Sequence, residues 1–254
     1  MSNSTARNFM DRAVIVTGAG SGIGRATAVA FAESGAHVLG VGRRRNALEE
    51  TAGAHSGIAV LPLDIREEGA AERVVGTAVE MWGRLDVLVN NAGAAAMMPL
   101  SETDRSVINN LFDLNVTAPS VLARAALPHL RDSGGSIVNV SSTYGHRPLP
   151  GGAHYAATKS ALEQLTRSWA LELASTGVRV NAIAPGPTET DVLAAAGLPE
   201  DTIDEIRSAE RERIPVGRLG DPQDVADWIL RLADPRDTHI TGQILTIDGG
   251  LELV

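Results

Sequence analysis

Of 22 cationic side chains, 21 are arginine; the only lysine, Lys159, follows Tyr155 by four residues, and Tyr155 is one of two tyrosines. Arginine is a bulky planar fork, whereas lysine is a compact, strongly hydrated point charge on a flexible stem. The exception suggests a task that a guanidinium does not perform. On a helix, residues i and i+4 share a face, so this spacing sets a phenol beside an ammonium. A free phenol has a pKa of about 10 and needs a downward shift of about three units, or about 4 kcal/mol, to act as an acid/base near neutrality. One cation at ~4 Å in an effective dielectric of ~20 supplies about 4 kcal/mol. The pair reads as a general acid/base and its activator, against the alternative of an ordinary surface pair.

Those two side chains need a helix, and the run from Ala156 to Leu173 holds Ala, Leu, Glu and Gln without Pro or Gly, with Gly177 at a plausible end. Elsewhere, short apolar runs alternate with longer amphipathic stretches. Strands are expected at 13–16, 37–41, 58–63, 87–89, 137–140, 178–183 and 244–247. Near-continuous apolar strands separated by helices predict a doubly wound parallel sheet of the Rossmann type, covered on both faces. Ligands of such sheets bind beyond the carboxyl ends of the strands. The first such segment, Thr17 to Gly24, is glycine-rich and leads into a helix, as a pyrophosphate cradle requires. Its spacing departs from G-x-G-x-x-G, a plain tight turn has the same composition, and the lack of a lysine excludes a P-loop. After the second strand, Gly42 stands where an acidic residue would hold the ribose of NAD, and Arg43 follows. That favours NADP over NAD, while Arg44 and Arg45 also suit a solvated helix start.

At 254 residues and 44% apolar composition, the chain is expected to be one domain over 1–254, because the motifs run from Thr17 to Gly250 with no linker or repeat. A net charge of −9 argues against nucleic acid or an anionic membrane as partner. There is no cysteine, and the six histidines show no metal-binding spacing, so no metal is expected. No apolar leader or membrane-length run is present, and a cytoplasmic location is expected.

Taken together, Thr17-Gly18-x-x-x-Gly22-x-Gly24, Asn90-Asn91-Ala92-Gly93, Asn115, Ser142, Tyr155-x-x-x-Lys159, Asn181 to Gly186 and Thr241 to Gly250 resemble the short-chain dehydrogenase/reductase family, in its single-domain, 3-oxoacyl reductase-like form. The resemblance implies that Tyr155 is the acid/base of hydride-transfer chemistry, and that Lys159 lowers its pKa and holds the nicotinamide ribose. It implies that Ser142 binds the substrate oxygen and that Asn115 holds a water leading from Lys159 to solvent. The implied cofactor contacts are Gly18, Ser21, Gly22, Ile23 and Gly24, then Arg43, Asp64, Ile65, Asn91, Ala92 and Gly93, and finally Ile183, Pro185, Gly186 and Thr188. Alternatives stay open: Ser142 as a strand end, Asn115 as a helix polar residue, Asp64 as a cap, Ile183 as core.

The same resemblance implies a pocket from 94–100, 143–153 and a lid around 188–215. Met97, Ser142, Tyr144 and His154 are its candidate residues. Met97 and Met98 suit an uncharged or hydrophobic carbonyl, or simple core filling. His146, Arg147 and His154 suit either a polar substrate group or exposed loop. The implied function is an NADP(H)-dependent oxidoreductase interconverting a ketone and a secondary alcohol, working as a homotetramer or dimer on a small molecule. An NAD(H)-dependent alcohol dehydrogenase, a 3-oxoacyl carrier protein reductase and a catalytically silent nucleotide sensor are the alternatives. Neutral Ser133 and Thr176 weaken the carrier reading, although Arg131 and Arg179 lie near those positions.

Overall fold

The computed structural model describes residues 8–190 and 199–254. Seven strands form one parallel sheet: β1 (Ala13–Thr17), β2 (His37–Gly42), β3 (Ile58–Pro62), β4 (Val87–Asn90), β5 (Ser136–Val140), β6 (Arg179–Pro185) and β7 (Ile244–Ile247). Their spatial order is β3-β2-β1-β4-β5-β6-β7. All seven lie where apolar runs predicted them, with small differences at the ends. Strands β1, β4, β5 and β6 are buried along their whole length, whereas the edge strand β7 is half-buried. Burial on both faces is what a near-continuous apolar run requires.

The helices between them are α1 (Gly22–Glu33), α2 (Arg45–Ala54), α3 (Ala70–Trp82), α4 (Arg105–Phe112), α5 (Ala118–Ser133), α6 (Ala153–Leu173), α7 (Glu200–Arg213) and α8 (Pro222–Ala233). Helix α6 starts at Ala153, earlier than its composition suggested, and ends in a short 3-10 turn with Gly177 at φ 80°. Helix α8 opens with a capping box, Asp221 accepting from the Gln223 N–H and Asp224 reaching back to the Asp221 N–H. Its buried stripe, Val225, Ala226, Ile229, Leu232 and Ala233, covers one face of the sheet together with Phe31 of α1. Helices α3, α5 and α6 cover the other.

Because β1 lies between β2 and β4, the chain direction of winding reverses beside it, and a crevice opens at the carboxyl ends. Thr17 ties that point together: its hydroxyl donates to the Val89 carbonyl and accepts from the N–H groups of Asn91 and Ala92. A buried ladder from Asn90 through Asn139 to Thr166 braces β4 and β5 against α6. At the opposite end of the sheet, Asp86 accepts from Arg12, Arg84 and the Ala13 N–H; burial pushes its carboxyl up, but the two guanidiniums outweigh this and hold it below the usual range.

Candidate active site

The glycine-rich turn between β1 and α1 is shaped by contacts that leave no space for side chains. Gly18 has φ 70°, and a Cβ there would lie 2.7 Å from Asn91 Nδ2. A Cβ on Gly24 would collide with the Gly18 carbonyl. Gly22, at φ 51°, opens α1 behind an extended Ser21. Asn91 holds the turn by donating Nδ2 to the Thr17 carbonyl at 2.8 Å. The result is a cleft of about 450 Å³ with a helix N-terminus at its floor.

Gly18, Ser21, Gly22, Ile23, Gly24, Arg43, Asp64, Ile65, Asn91, Ala92 and Gly93 all line this cleft. Its mouth is more cationic than expected. Arg43 is exposed, Arg44 reaches back to Ser21 Oγ at 3.1 Å, and Arg66 forks onto both Asp64 oxygens at 3.0 and 2.6 Å. Those bonds from Arg66 hold the Asp64 carboxyl below its usual range, outweighing burial. Asp64 is thus an ion-paired group whose carboxylate keeps acceptor sites beyond those that Arg66 uses. Pro185, Gly186 and Thr188 lie at the end of β6 and just beyond, where Thr188 Oγ1 donates to the Gly186 carbonyl and a Cβ on Gly186 would strike Asp248. Ile183 is fully buried in the core, so of its two readings the packing one describes its side chain.

Next to this cleft, β5 delivers Ser142, and the first turns of α6 deliver Tyr155 and Lys159. Ser142 is extended and caps a 3-10 turn, Thr143–Gly145, with its Oγ accepting from the Tyr144 N–H at 3.3 Å. Lys159 is only 5% exposed; its Nζ donates to the Val140 carbonyl at 2.8 Å and lies 5.9 Å from the centroid of the Tyr155 ring. Gly93 closes over the amine, since a Cβ there would sit 3.4 Å from Nζ. Asn115 stands on a π-helical turn, Asp113–Thr117, between α4 and α5. Its amide bonds the N–H and carbonyl of Ala94 and the Thr158 hydroxyl, bracing the β4 loop against α6.

The electrostatics of the pair are set first by burial. Burial pushes the Tyr155 phenol above its ordinary value, the Ser142 hydroxyl beside it pulls it down, and Tyr144 adds a further upward push; the net direction is up. Burial also pulls Lys159 down, from 10.5 to about 8, against the opposing charge of Glu163. Burial thus makes Tyr155 hold its proton more tightly and Lys159 release its own more readily. In each case desolvation, which disfavours the charged form, is the largest cause.

The family model described as enoyl-(acyl carrier protein) reductase matches residues 18–252. A 3-oxoacyl-[acyl-carrier-protein] reductase of Thermotoga maritima is 38% identical over 245 residues, covering 93% of this chain and 96% of its own. A cis-4-hydroxycyclohexanecarboxylate dehydrogenase of Sinomonas cyclohexanicum is 38% identical over 253 residues, covering 97% and 98%. A solved short-chain dehydrogenase/reductase of unknown function from Caenorhabditis elegans, with cofactor, matches with a TM-score of 0.91 at 36% identity, over 97% of both chains. This chain is a short-chain dehydrogenase/reductase.

As a short-chain dehydrogenase/reductase it is an oxidoreductase acting on carbonyl and alcohol groups. The loops after β4 and β5 carry the residues expected at a substrate pocket. The two methionines there divide: Met97 is 67% exposed and touches the loop at Gly151, whereas Met98 is 7% exposed and packed inside. Tyr144 is half-buried, which raises its pKa, and it feels the charges of Arg213 and Glu210 on α7 and of Arg147. His154 has a buried Nδ1 without a partner among the described residues. His146 and Arg147 do not behave as free loop residues. His146 bridges Glu163 and Glu252, and Arg147 donates to the carbonyl of Val254. Of the expected lid, 191–198 lies outside the described residues; Glu189 N–H bonds the Gly220 carbonyl, and α7 buries only Ile203.

Sequence reasoning missed two residues at this short-chain dehydrogenase/reductase cleft and beneath it, Arg66 and Glu163, while Arg44, also read as a solvated helix start, turns onto Ser21. Arg66 carried a local signal, two residues after an aspartate that follows a strand. Glu163 carried another, one helical turn past the lone lysine. Among the described residues, no helix is long and apolar enough to cross a membrane.

Proposed function

We propose that this protein is an NADP(H)-dependent oxidoreductase that interconverts a ketone and a secondary alcohol, with Tyr155 as the acid/base. The observation that carries this reading is the meeting of Ser142, Tyr155 and Lys159 at the carboxyl end of the sheet, beside the glycine-rich cleft. The residues suit a dinucleotide, because Gly18 and Gly24 permit the tight turn that sets the N-terminus of α1 against the cleft, where a pyrophosphate would approach. Gly18, Ser21, Gly22, Ile23 and Gly24 would hold the pyrophosphate, and Asp64, Ile65, Asn91, Ala92 and Gly93 the adenosine. Pro185, Gly186 and Thr188 would face the nicotinamide end. Arg43 and Arg44, with no acidic residue at Gly42, match the charge of a 2′-phosphate.

When bound, the nicotinamide donates or accepts the hydride. Tyr155 gives its proton to the carbonyl oxygen in reduction and takes it back in oxidation. A phenol raised by burial stays protonated near neutral pH, which matches an acid poised for reduction. Ser142 would hold the substrate oxygen by a hydrogen bond and steady its developing charge. Lys159, charged below about 8, would stabilise the tyrosinate that remains and bind the ribose hydroxyls. Asn115 would support proton exchange with solvent from beneath Lys159.

The substrate is read as a small molecule rather than an acyl carrier. Arg179 is buried with its guanidinium on the carbonyls of Leu232 and Asp234, and Ser133 and Thr176 turn their hydroxyls to backbone carbonyls. Arg147 and Arg213 near Tyr144 also suit an acidic ring alcohol of the kind named for the Sinomonas relative. The segment 188–215 is proposed as a lid within one domain, and the cytoplasm as the location. A homotetramer, with a dimer as its alternative, rests on exposed Val121 and Leu171 on α5 and α6 and on the open edge of β7; light scattering that returned a monomer would reject it. A panel of ketones, ring hydroxy acids and their alcohols, run with NADPH, NADH and the oxidised forms, tests the function. Turnover is expected with NADPH and is lost in Tyr155→Phe; normal turnover by that variant would overturn the assignment.

A further inference from the structure

One buried carboxylate beneath the site takes no part in the proton transfer just described. Glu163 follows Lys159 by one helical turn and is 2% exposed. Its Oε1 accepts from Ser141 Oγ at 2.9 Å and meets His146 Nδ1 at 3.0 Å. Ser141 Oγ also lies 3.4 Å from the Lys159 carbonyl. The seat is closed by the loop itself, for a Cβ on Gly145 would collide with Oε1, and the Ser160 hydroxyl donates to the Gly145 carbonyl. On its outer side His146 Nε2 meets Glu252 Oε2 at 2.7 Å, and Thr246 donates to the same oxygen at 2.9 Å. The backbone N–H of Glu252 and the Thr143 hydroxyl both bond Asp248 Oδ2. A continuous polar chain thus runs from α6, through the Ser142 loop, to the turn Leu251–Leu253.

Burying a carboxylate is unfavourable unless hydrogen bonds and charge compensate, so a seat this complete calls for a reason. We propose that Glu163 is a positioning residue: joined to Glu252 through His146, it fixes the Ser142 loop against the helix face of Tyr155 and Lys159 and supplies the counter-charge of that lysine. The inference rests on the acid/base reading of that face. The charged groups around Glu163 are Lys159 and Arg167 on its own helix, His146 on the loop, and Glu252 with Asp248 at the C-terminal turn. Arg167 contributes little, being half exposed with its guanidinium 3.9 Å away. Burial pulls His146 down, but its hydrogen bonds to Glu163 and Glu252 outweigh that and raise it. The two carboxylates therefore favour the imidazolium, and the bridge loses its charge as pH rises through that raised value. Glu163 likewise opposes the loss of the Lys159 proton.

The test compares Glu163→Gln and Glu252→Gln with the parent and with Tyr155→Phe, in NADPH-dependent ketone reduction from about pH 6 to about pH 9. Glu163→Gln is expected to lower kcat about tenfold while KM for NADPH stays within about threefold, and to move the alkaline limb of the profile to lower pH. Glu252→Gln, at the surface, is expected to fold and to lower the pH at which the His146 ring titrates by NMR. That ring measurement needs no turnover. An unmoved His146 titration in Glu252→Gln, or a Glu163→Gln enzyme whose pH profile keeps its shape, would overturn the positioning role. Full turnover by Tyr155→Phe would instead remove the acid/base reading, so the two failures are distinguishable.

Discussion

The ammonium of Lys159 is hydrogen-bonded at 2.8 Å to the carbonyl of Val140, the last residue of β5. The lone lysine is therefore anchored to the strand that delivers Ser142 as well as to the helix that carries Tyr155. The charge is held where burial disfavours it, and its pKa falls from 10.5 to about 8. In the unfolded chain the amine keeps its proton up to about 10.5, so between the two values the unfolded state binds more protons and stability rises with pH.

A neutral residue escapes that cost. Lys159→Met is expected to exceed the parent in stability at neutral pH by on the order of 1–3 kcal/mol, and the gain should shrink as pH climbs from about 8 to about 10.5. Urea midpoints of both proteins across that window check the sign, and turnover should be lost. A variant less stable than the parent at every pH would contradict the burial argument.

Tyr155→Phe removes the proton donor while keeping the ring. Turnover should fall by about 10²-fold or more, whereas the Kd for NADPH, followed by its fluorescence, stays within about threefold. Ser142→Ala should fall by about 10- to 10³-fold through loss of the oxyanion contact.

Arg43 and Arg44 differ in posture, one exposed and one turned onto Ser21. A charge-assisted hydrogen bond is worth about 1.5–3 kcal/mol. Replacing both by alanine should raise KM for NADPH on the order of tenfold to a hundredfold while leaving KM for NADH within about threefold. Equal losses with both cofactors would remove the 2′-phosphate role.

Arg179 caps the end of α8 from inside, bonding the carbonyls of Leu232, Asp234 and, at 3.4 Å, Ile240. Arg179→Met leaves those carbonyls buried and unpaired, so stability should drop by about 2–4 kcal/mol. Turnover per folded molecule should be unchanged. A carrier-docking role would show the reverse, with normal melting and selective loss of activity on carrier-bound substrate.

Much of this architecture was readable without coordinates because it is written locally. Each parallel strand is a short apolar run, since both its faces are covered; the turn from Gly18 to Gly24 is glycine-rich because collisions and positive φ allow little else. The i,i+4 spacing of Tyr155 and Lys159 likewise placed them on one helix face. Helix ends were less legible: α6 begins at Ala153 because Gly152, not a residue with a capping side chain, precedes it.

Sequence alone thus determined the doubly wound sheet, the glycine cradle after β1 and the shared face of phenol and amine, since periodicity and turn chemistry act between near neighbours. Only the tertiary structure decided what those groups meet. The union of His146 with Glu163 and Glu252 spans 17 and 106 positions, and Arg179 reaches 53 positions to Leu232. It also decided how deeply Tyr155 and Lys159 are buried, which raises the phenol and lowers the amine. Desolvation depends on every element packed around a group, and no local pattern of residues encodes that sum.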